Sequence, residues 1–151
     1  MKKIILVLFT IIAFYSCNNS VFNEYHEFSM LEWKQSEVPE FEFEITNDTT
    51  NYDIYFTLRY VEGFPYQNMI GTMLIVDENK QSSLNNFKFR VVDENKDYIG
   101  DVAGNIFDIE TLLIKDTSLA KGKYKVTIEQ TTALPSLAFV MDAGLIVKKS
   151  E

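Results

Sequence analysis

Cysteine, histidine and tryptophan each occur once among the 151 residues of this chain. One thiol, at Cys17, excludes an internal disulfide framework. One histidine, His26, without cysteine or acidic partners at ligand spacing, argues for a surface residue and against a metal ligand. Three prolines and six glycines leave no flexible linker, so a single domain is expected. Basic residues are also scarce: 14 against 22 acidic ones give a formal charge of −8. Without a basic stripe, nucleic acid is excluded as a partner class. No stretch keeps a 3.6-residue apolar period, which removes the helical bundles as well.

What is present begins at the N-terminus. Met1-Lys2-Lys3 is positive and Ile4–Tyr15 is apolar, too short for the roughly 20 residues that span a bilayer. The run closes at Ser16-Cys17, and a small residue before a lone cysteine resembles a bacterial lipobox. Phe14 and Tyr15 are bulkier than usual there, as in the relaxed lipoboxes of the Bacteroidetes. The resemblance implies that residues 1–16 are a signal peptide and that Cys17 is the lipid attachment site. The plainer reading is a secretory leader with an incidental cysteine. Losing Lys2 and Lys3 with the leader takes the charge from −8 to −10. Several acyl chains, at about 0.8 kcal/mol per buried methylene, hold such a chain on a membrane. Residues 17–25 are then expected as a tether and 26–151 as one folded domain. Asn18-Asn19-Ser20 carries neither an aspartate nor an acidic cluster, which points to the outer membrane, facing the periplasm.

The remainder alternates as strands do. Tyr52, Ile54, Phe56, Leu58 and Tyr60 share one face of a run that only a core can satisfy, so this strand is placed centrally. Phe41, Phe43 and Ile45 are expected inward and Glu40, Glu42 and Glu44 outward, paired with Lys88, Arg90, Lys123 or Lys125. Three carboxylates on one strand lack the facing partner that glycoside hydrolysis needs. Trp33 reads as a core plug more than a sugar platform. Met69–Val76 is apolar on both faces, so it is either doubly buried or half interface. Asn105–Lys115, bent at Asp108, Gly122–Thr131 and Leu137–Lys149 are further strands. About seven to nine strands predict an all-β fold, an antiparallel β-sandwich of immunoglobulin-like or jelly-roll-like type.

Motifs that carry chemistry are few. Asp93-x-Asn95-x-Asp97 fails as a calcium loop, since Tyr98 and Gly104 replace its glycine and glutamate, so no metal is expected. The two Asp-Glu-Asn-Lys tetrapeptides, 77–80 and 93–96, read as hairpin turns. Asp48-Thr49-Thr50 fits a short O-glycosylation acceptor pattern. No nucleophile set or phosphate loop is visible, so neither enzyme activity nor a cofactor is expected. The corner Phe64-Pro65-Tyr66 with Met69 and Met73 is the candidate interaction surface, against a buried Pro-Tyr lock with no partner as the alternative. A second hypothesis is glycan or small-ligand binding through Tyr55, Tyr60 and Tyr66.

Taken in order, several short features resemble the gliding-motility lipoprotein GldH family of Bacteroidetes. They are Glu32-Trp33 with Val38 and Phe41-Glu42-Phe43, Asn51-Tyr52-Asp53-Ile54 to Leu58-Arg59, and Phe64-Pro65-Tyr66-Gln67-Asn68. Gly104–Asp108, Gly122–Tyr124 with Ile128–Gln130, Leu134-Pro135 and Asp142-Ala143-Gly144-Leu145 complete the set. The likeness covers essentially the whole mature chain. It departs at Phe64, where tyrosine is common, and after Gln130, where a longer charged insertion is frequent. It implies a non-catalytic lipoprotein of the gliding machinery. Its expected partners are the membrane, through the lipid, and other gliding or type IX secretion envelope proteins.

Overall fold

The computed structural model describes residues 19–151, so the leader and Cys17 lie outside the described residues. The described chain forms eleven strands and one 3₁₀ turn, every strand pair antiparallel. They are β1 (Ser20–Glu27), β2 (Glu32–Lys34), β3 (Glu40–Ile45), β4 (Asn51–Val61), β5 (Asn68–Asp77) and β6 (Ser82–Arg90). β7 (Asp101–Ala103), β8 (Ile106–Ser118), β9 (Gly122–Gln130), β10 (Ser136–Ala138) and β11 (Val140–Lys149) follow. One sheet runs β1-β11-β4-β8-β7, a second β3-β9-β5-β6, and β10-β2 form a small third ribbon. The result is the expected all-β sandwich, with more strands because three of them span only three residues each.

β4 lies at the centre of the five-stranded sheet and buries Tyr52, Ile54, Phe56, Leu58 and Tyr60, as its alternation requires. Across the interior, Phe56 meets Phe87 of β6 with ring centroids 5.0 Å apart. Phe22 of β1 meets Phe43 of β3 at 5.5 Å. Gly71 of β5 makes room for this packing, since a Cβ there would stand 2.3 Å from Phe87 Cζ. Trp33 is fully buried, stacked on Phe28 at 4.9 Å, and its Nε1 donates to the Glu37 carbonyl at 2.9 Å. Burial of roughly 150–250 Å² makes such a ring worth on the order of 4–6 kcal/mol at about 25 cal/mol per Å².

Three expectations need correction. Most of the expected tether is strand: Ser20–Glu27 pairs along β11, from Ser20 opposite Lys148 to Glu27 opposite Asp142. Of the expected tether only Cys17, Asn18 and Asn19 precede that strand. β8 is irregular at its far end, where its register against Tyr52–Tyr55 shifts and Asp116 takes φ 53°, rather than at Asp108. The last strand is two strands, broken at Phe139 with φ 68°. The Glu40–Glu44 face is outward as expected, with Lys125 and Lys123 opposite Glu42 and Glu44 and a Lys125–Glu40 ion pair at 2.8 Å. The remaining candidates, Lys88 and Arg90, lie on β6 at the other edge of the sheet.

Candidate functional site

The pairing gives the sandwich two unlike ends. Ser20 enters at the end shared by the 47–50, 77–81 and 118–122 turns, beside Lys148 and Lys149. Eight residues of β1, at about 3.3 Å each, carry the chain roughly 25 Å to the other end.

At that far end the chain presents apolar side chains on left-handed backbone. Met30 (φ 56°) is 90% exposed and Leu31 (φ 55°) 39%. Phe139 (φ 68°) is 42% exposed, with its ring 3.3 Å from where a Cβ on Gly63 would stand. Pairing of Glu32 with Ala138 brings Leu31 and Phe139 to the same place, and the Phe139 carbonyl accepts from Val61 N–H at 2.9 Å. Carboxylates stand nearby along the chain: Glu32 follows Leu31, Glu27 lies three residues before Met30, and Glu62 precedes Gly63 beneath the Phe139 ring.

The five residues expected at an interaction surface divide. Met69 and Met73 are fully buried and Phe64 nearly so, which corrects the expectation for all three. Of the two apolar faces of β5, the Met69, Met73 and Ile75 face turns inward, and Ile70, Leu74 and Val76 turn out, with Leu84 of β6 opposite Leu74. A strand apolar on both faces gives no signal for which face enters the core. Pro65 is exposed, and Tyr66 packs edge-on against Phe64 with centroids 6.5 Å apart. Of the corner only Phe64 is buried, Tyr66 being half-buried and Pro65 in solvent, so the structure does not show a buried Pro-Tyr lock either.

The tyrosines offered for glycan stacking do not share a face. Tyr60 is buried, its hydroxyl donating to the Ile99 carbonyl at 2.6 Å, and burial pushes that hydroxyl far up. Tyr55 lies on the opposite face of β4, with the Lys148 ammonium 4.4 Å from its ring centroid.

The outer face of the five-stranded sheet holds the densest charge cluster. Arg59 on β4 forks onto Asp108 of β8, Nε at 2.6 Å and Nη2 at 3.4 Å, and reaches Asp142 of β11 at 3.5 Å. Asp142 is only 6% exposed, and burial pushes its carboxyl up despite Arg59. The Asp108 hydrogen bond holds the guanidinium above its ordinary value. Beside it, Gly144 lets Tyr25 cross: a Cβ there would meet Thr57 Oγ1 at 2.3 Å and Tyr25 Cδ1 at 2.8 Å. A fork-bound arginine between two carboxylates is an ion-pair lock across three strands.

The two Asp-Glu-Asn-Lys turns share one geometry. Asp77 Oδ1 accepts from Gln81 N–H at 2.8 Å, and Asp93 Oδ1 from Asp97 N–H at 2.9 Å. Lys80 and Lys96 close them at φ 64° and 71°. Asp93 is thereby occupied as a turn former.

Residues 20–147 match the family model described as GldH lipoprotein. The chain is similar to the "Gliding motility lipoprotein GldH homolog" of Christiangramia forsetii, with 24% identity covering 99% of this chain and 96% of that one. It is similar also to the "Gliding motility lipoprotein GldH" of Flavobacterium johnsoniae, with 24% identity over 97% of this chain and 96% of that one. Among solved structures, the infectious bursal disease virus VP2 subviral particle aligns at TM-score 0.33 and 11% identity, covering 100% of this chain and 37% of that chain. The virus's Gx strain structure aligns at 0.31 and 13%, covering 85% of this chain and 32% of that chain.

Proposed function

This chain belongs to the GldH lipoprotein family, and from that membership we propose that it is a non-catalytic docking component of the gliding-motility machinery. In this reading Cys17 carries the lipid after removal of residues 1–16, and the domain faces the periplasm from the outer membrane. Its partner is another envelope protein of the gliding or type IX secretion apparatus. The observation that carries the reading is the end of the sandwich remote from Ser20, where Met30, Leu31 and Phe139 stand in solvent on left-handed backbone. Left-handed backbone costs such residues roughly 1–2 kcal/mol each, and strain of that kind collects at functional sites. A protein surface with an apolar pocket and a basic rim complements these side chains and the Glu27, Glu32 and Glu62 carboxylates around them.

The test is recovery of crosslinked envelope partners with the lipidated chain. Met30→Asp with Phe139→Asp should lose the gliding and secretion proteins that the parent recovers, and Leu84→Asp on β6 should keep them. The reverse pattern, with the tip variant retaining its partners and the β6 variant losing them, would move docking to the four-stranded sheet and sink the tip. The spreading phenotype follows the same order, since a tip variant that still spreads on agar contradicts the assignment.

A further inference from the structure

The end where Ser20 enters has a ligand imposed on it by covalent geometry. Three Cα–Cα steps separate Cys17 from Ser20, and at 3.80 Å each they reach at most about 11 Å. Asn19 is already fixed, its carbonyl accepting from Lys149 N–H at 2.9 Å. Asn19 also lines a cleft of about 550 Å³ that includes Asp53, Lys115, Asp116, Lys148 and Lys149. A lipid on Cys17 therefore keeps this end within about 11 Å of the acylated residue, close enough for the cleft to reach the headgroup layer.

We propose that the cleft seats zwitterionic phospholipid headgroups of the bilayer that holds the Cys17 lipid. The sandwich then stands end-on, with its strands rising from the membrane. This rests on the reading of Cys17 as the acylated residue. The chemistry is complementary at both poles of such a headgroup. In a chain of net charge −8, Lys115, Lys148 and Lys149 gather here for the phosphate, and Asp53, Asp116 and Glu151 for the ammonium. The aspartates are held in place: Asp53 Oδ1 accepts from Asp116 N–H at 2.7 Å and Ser150 Oγ at 2.8 Å, and Asp116 Oδ1 accepts from Asn51 Nδ2 at 2.9 Å. Lys148 is oriented by Glu110 and the Tyr55 ring, whereas Lys115 and Lys149 are exposed. On the outer sheet faces the carboxylates Glu40, Asp108 and Glu110 are paired with Lys125, Arg59 and Lys148, whereas the cleft end leaves Lys115 and Lys149 exposed to a headgroup.

The experiment reconstitutes the full lipidated chain into vesicles of phosphatidylethanolamine and phosphatidylcholine carrying a nitroxide on the headgroup. Acylation leaves Cys17 without a free thiol, so a fluorophore can be placed on one introduced cysteine at a time. Glu151→Cys reports the cleft end, Met30→Cys the far end, and Leu84→Cys and Tyr25→Cys the two sheet faces. The expected result is loss of more than half the emission at position 151 and none at 30, 84 or 25. Lys115→Ala with Lys149→Ala should cut the quenching at 151 at least by half while the lipid keeps the protein on the vesicle. Quenching at 84 or 25 equal to that at 151, or quenching at 151 that ignores the lysines, overturns the proposal. Failure of the lipid reading is seen separately: Cys17 then lacks acyl mass and the chain does not float with vesicles.

Discussion

Where Ser20 enters, the turns are made by residues suited to them. Asn47 Oδ1 accepts from Thr49 N–H and Oγ1 at 2.9 and 2.7 Å, and Asp77 caps its own turn. The left-handed positions there fall on Lys80 and Asp116. The far end shares such a turn at Lys96, but there left-handed backbone falls also on Met30, Leu31 and Phe139, whose side chains gain little from solvent. Asp and Asn visit that conformation at modest cost and large apolar residues do not. The contrast teaches that one end is optimised as structure, and the other keeps side chains that its own fold does not need.

The largest expected effect separates two methionines. Met73→Asp should cost more than about 4 kcal/mol, or abolish folding, because it places a carboxylate in the core. Met30→Asp should change stability by less than about 0.5 kcal/mol. Urea unfolding of the mature domain measures both. A small loss at Met73 would mean that β5 turns its other face inward.

Next comes a pair of glycines, one near each end. Gly63 (φ 105°) supports the Phe139 ring, and Gly122 (φ 139°) faces the Glu78 carboxylate, 2.7 Å from a Cβ built there. Alanine at either site should cost about 1–2 kcal/mol from backbone strain. Only Gly63→Ala should also weaken partner capture, since the ring above it must shift whereas the end of a glutamate can swing aside. Equal effects of both on capture would break the distinction between the ends.

Acid titration sharpens it further, with opposite signs. Backbone N–H donation from Asp116, joined by Ser150, holds the Asp53 carboxyl below its ordinary value. Its contribution is present above the unfolded value, about 3.9, and is lost as pH falls through the lower folded value. Burial pushes Asp142 up, so its contribution is full below about 3.9 and is lost as pH rises through the higher folded value. Asp53→Asn should therefore flatten the loss of stability in acid. Asp142→Asn should flatten the decline on the rising side. Urea midpoints across the acid range decide this, and matching slopes would contradict the packing at one end.

How much of this was legible follows from what each residue had to say locally. The central strand, Trp33 and the Glu40–Glu44 face were readable because alternation admits one orientation when one set is apolar and the other charged. β1 was hidden because Ser-Val-Phe-Asn-Glu-Tyr-His-Glu at a sheet edge buries little, and its pairing with β11 is set more than a hundred residues away. The face of β5 was hidden for the opposite reason, since both faces are apolar, and the fit of Gly71 beneath Phe87 is visible only in the fold. The apolar tip had no signal at all: nothing in Ser29-Met30-Leu31 announces a left-handed turn, because the residues that favour one are absent from it.

That absence sets the smallest prediction, which tests whether the tip is kept for a partner. Met30 at φ 56° is strained and its side chain is almost wholly in water, so folding gains little from it. Glycine reaches this backbone without a Cβ penalty but brings more entropy to the unfolded chain, and the two oppose each other. With the strain at about 1–2 kcal/mol and the glycine entropy at about 0.5–1 kcal/mol, Met30→Gly should stabilise the domain by about 0.5 kcal/mol. The same change should reduce partner recovery. A chain made more stable and less able to dock by one substitution is holding Met30 against its own stability. A destabilised Met30→Gly would instead place that side chain among the fold's own contacts, and the difference between the two ends would shrink to loop chemistry.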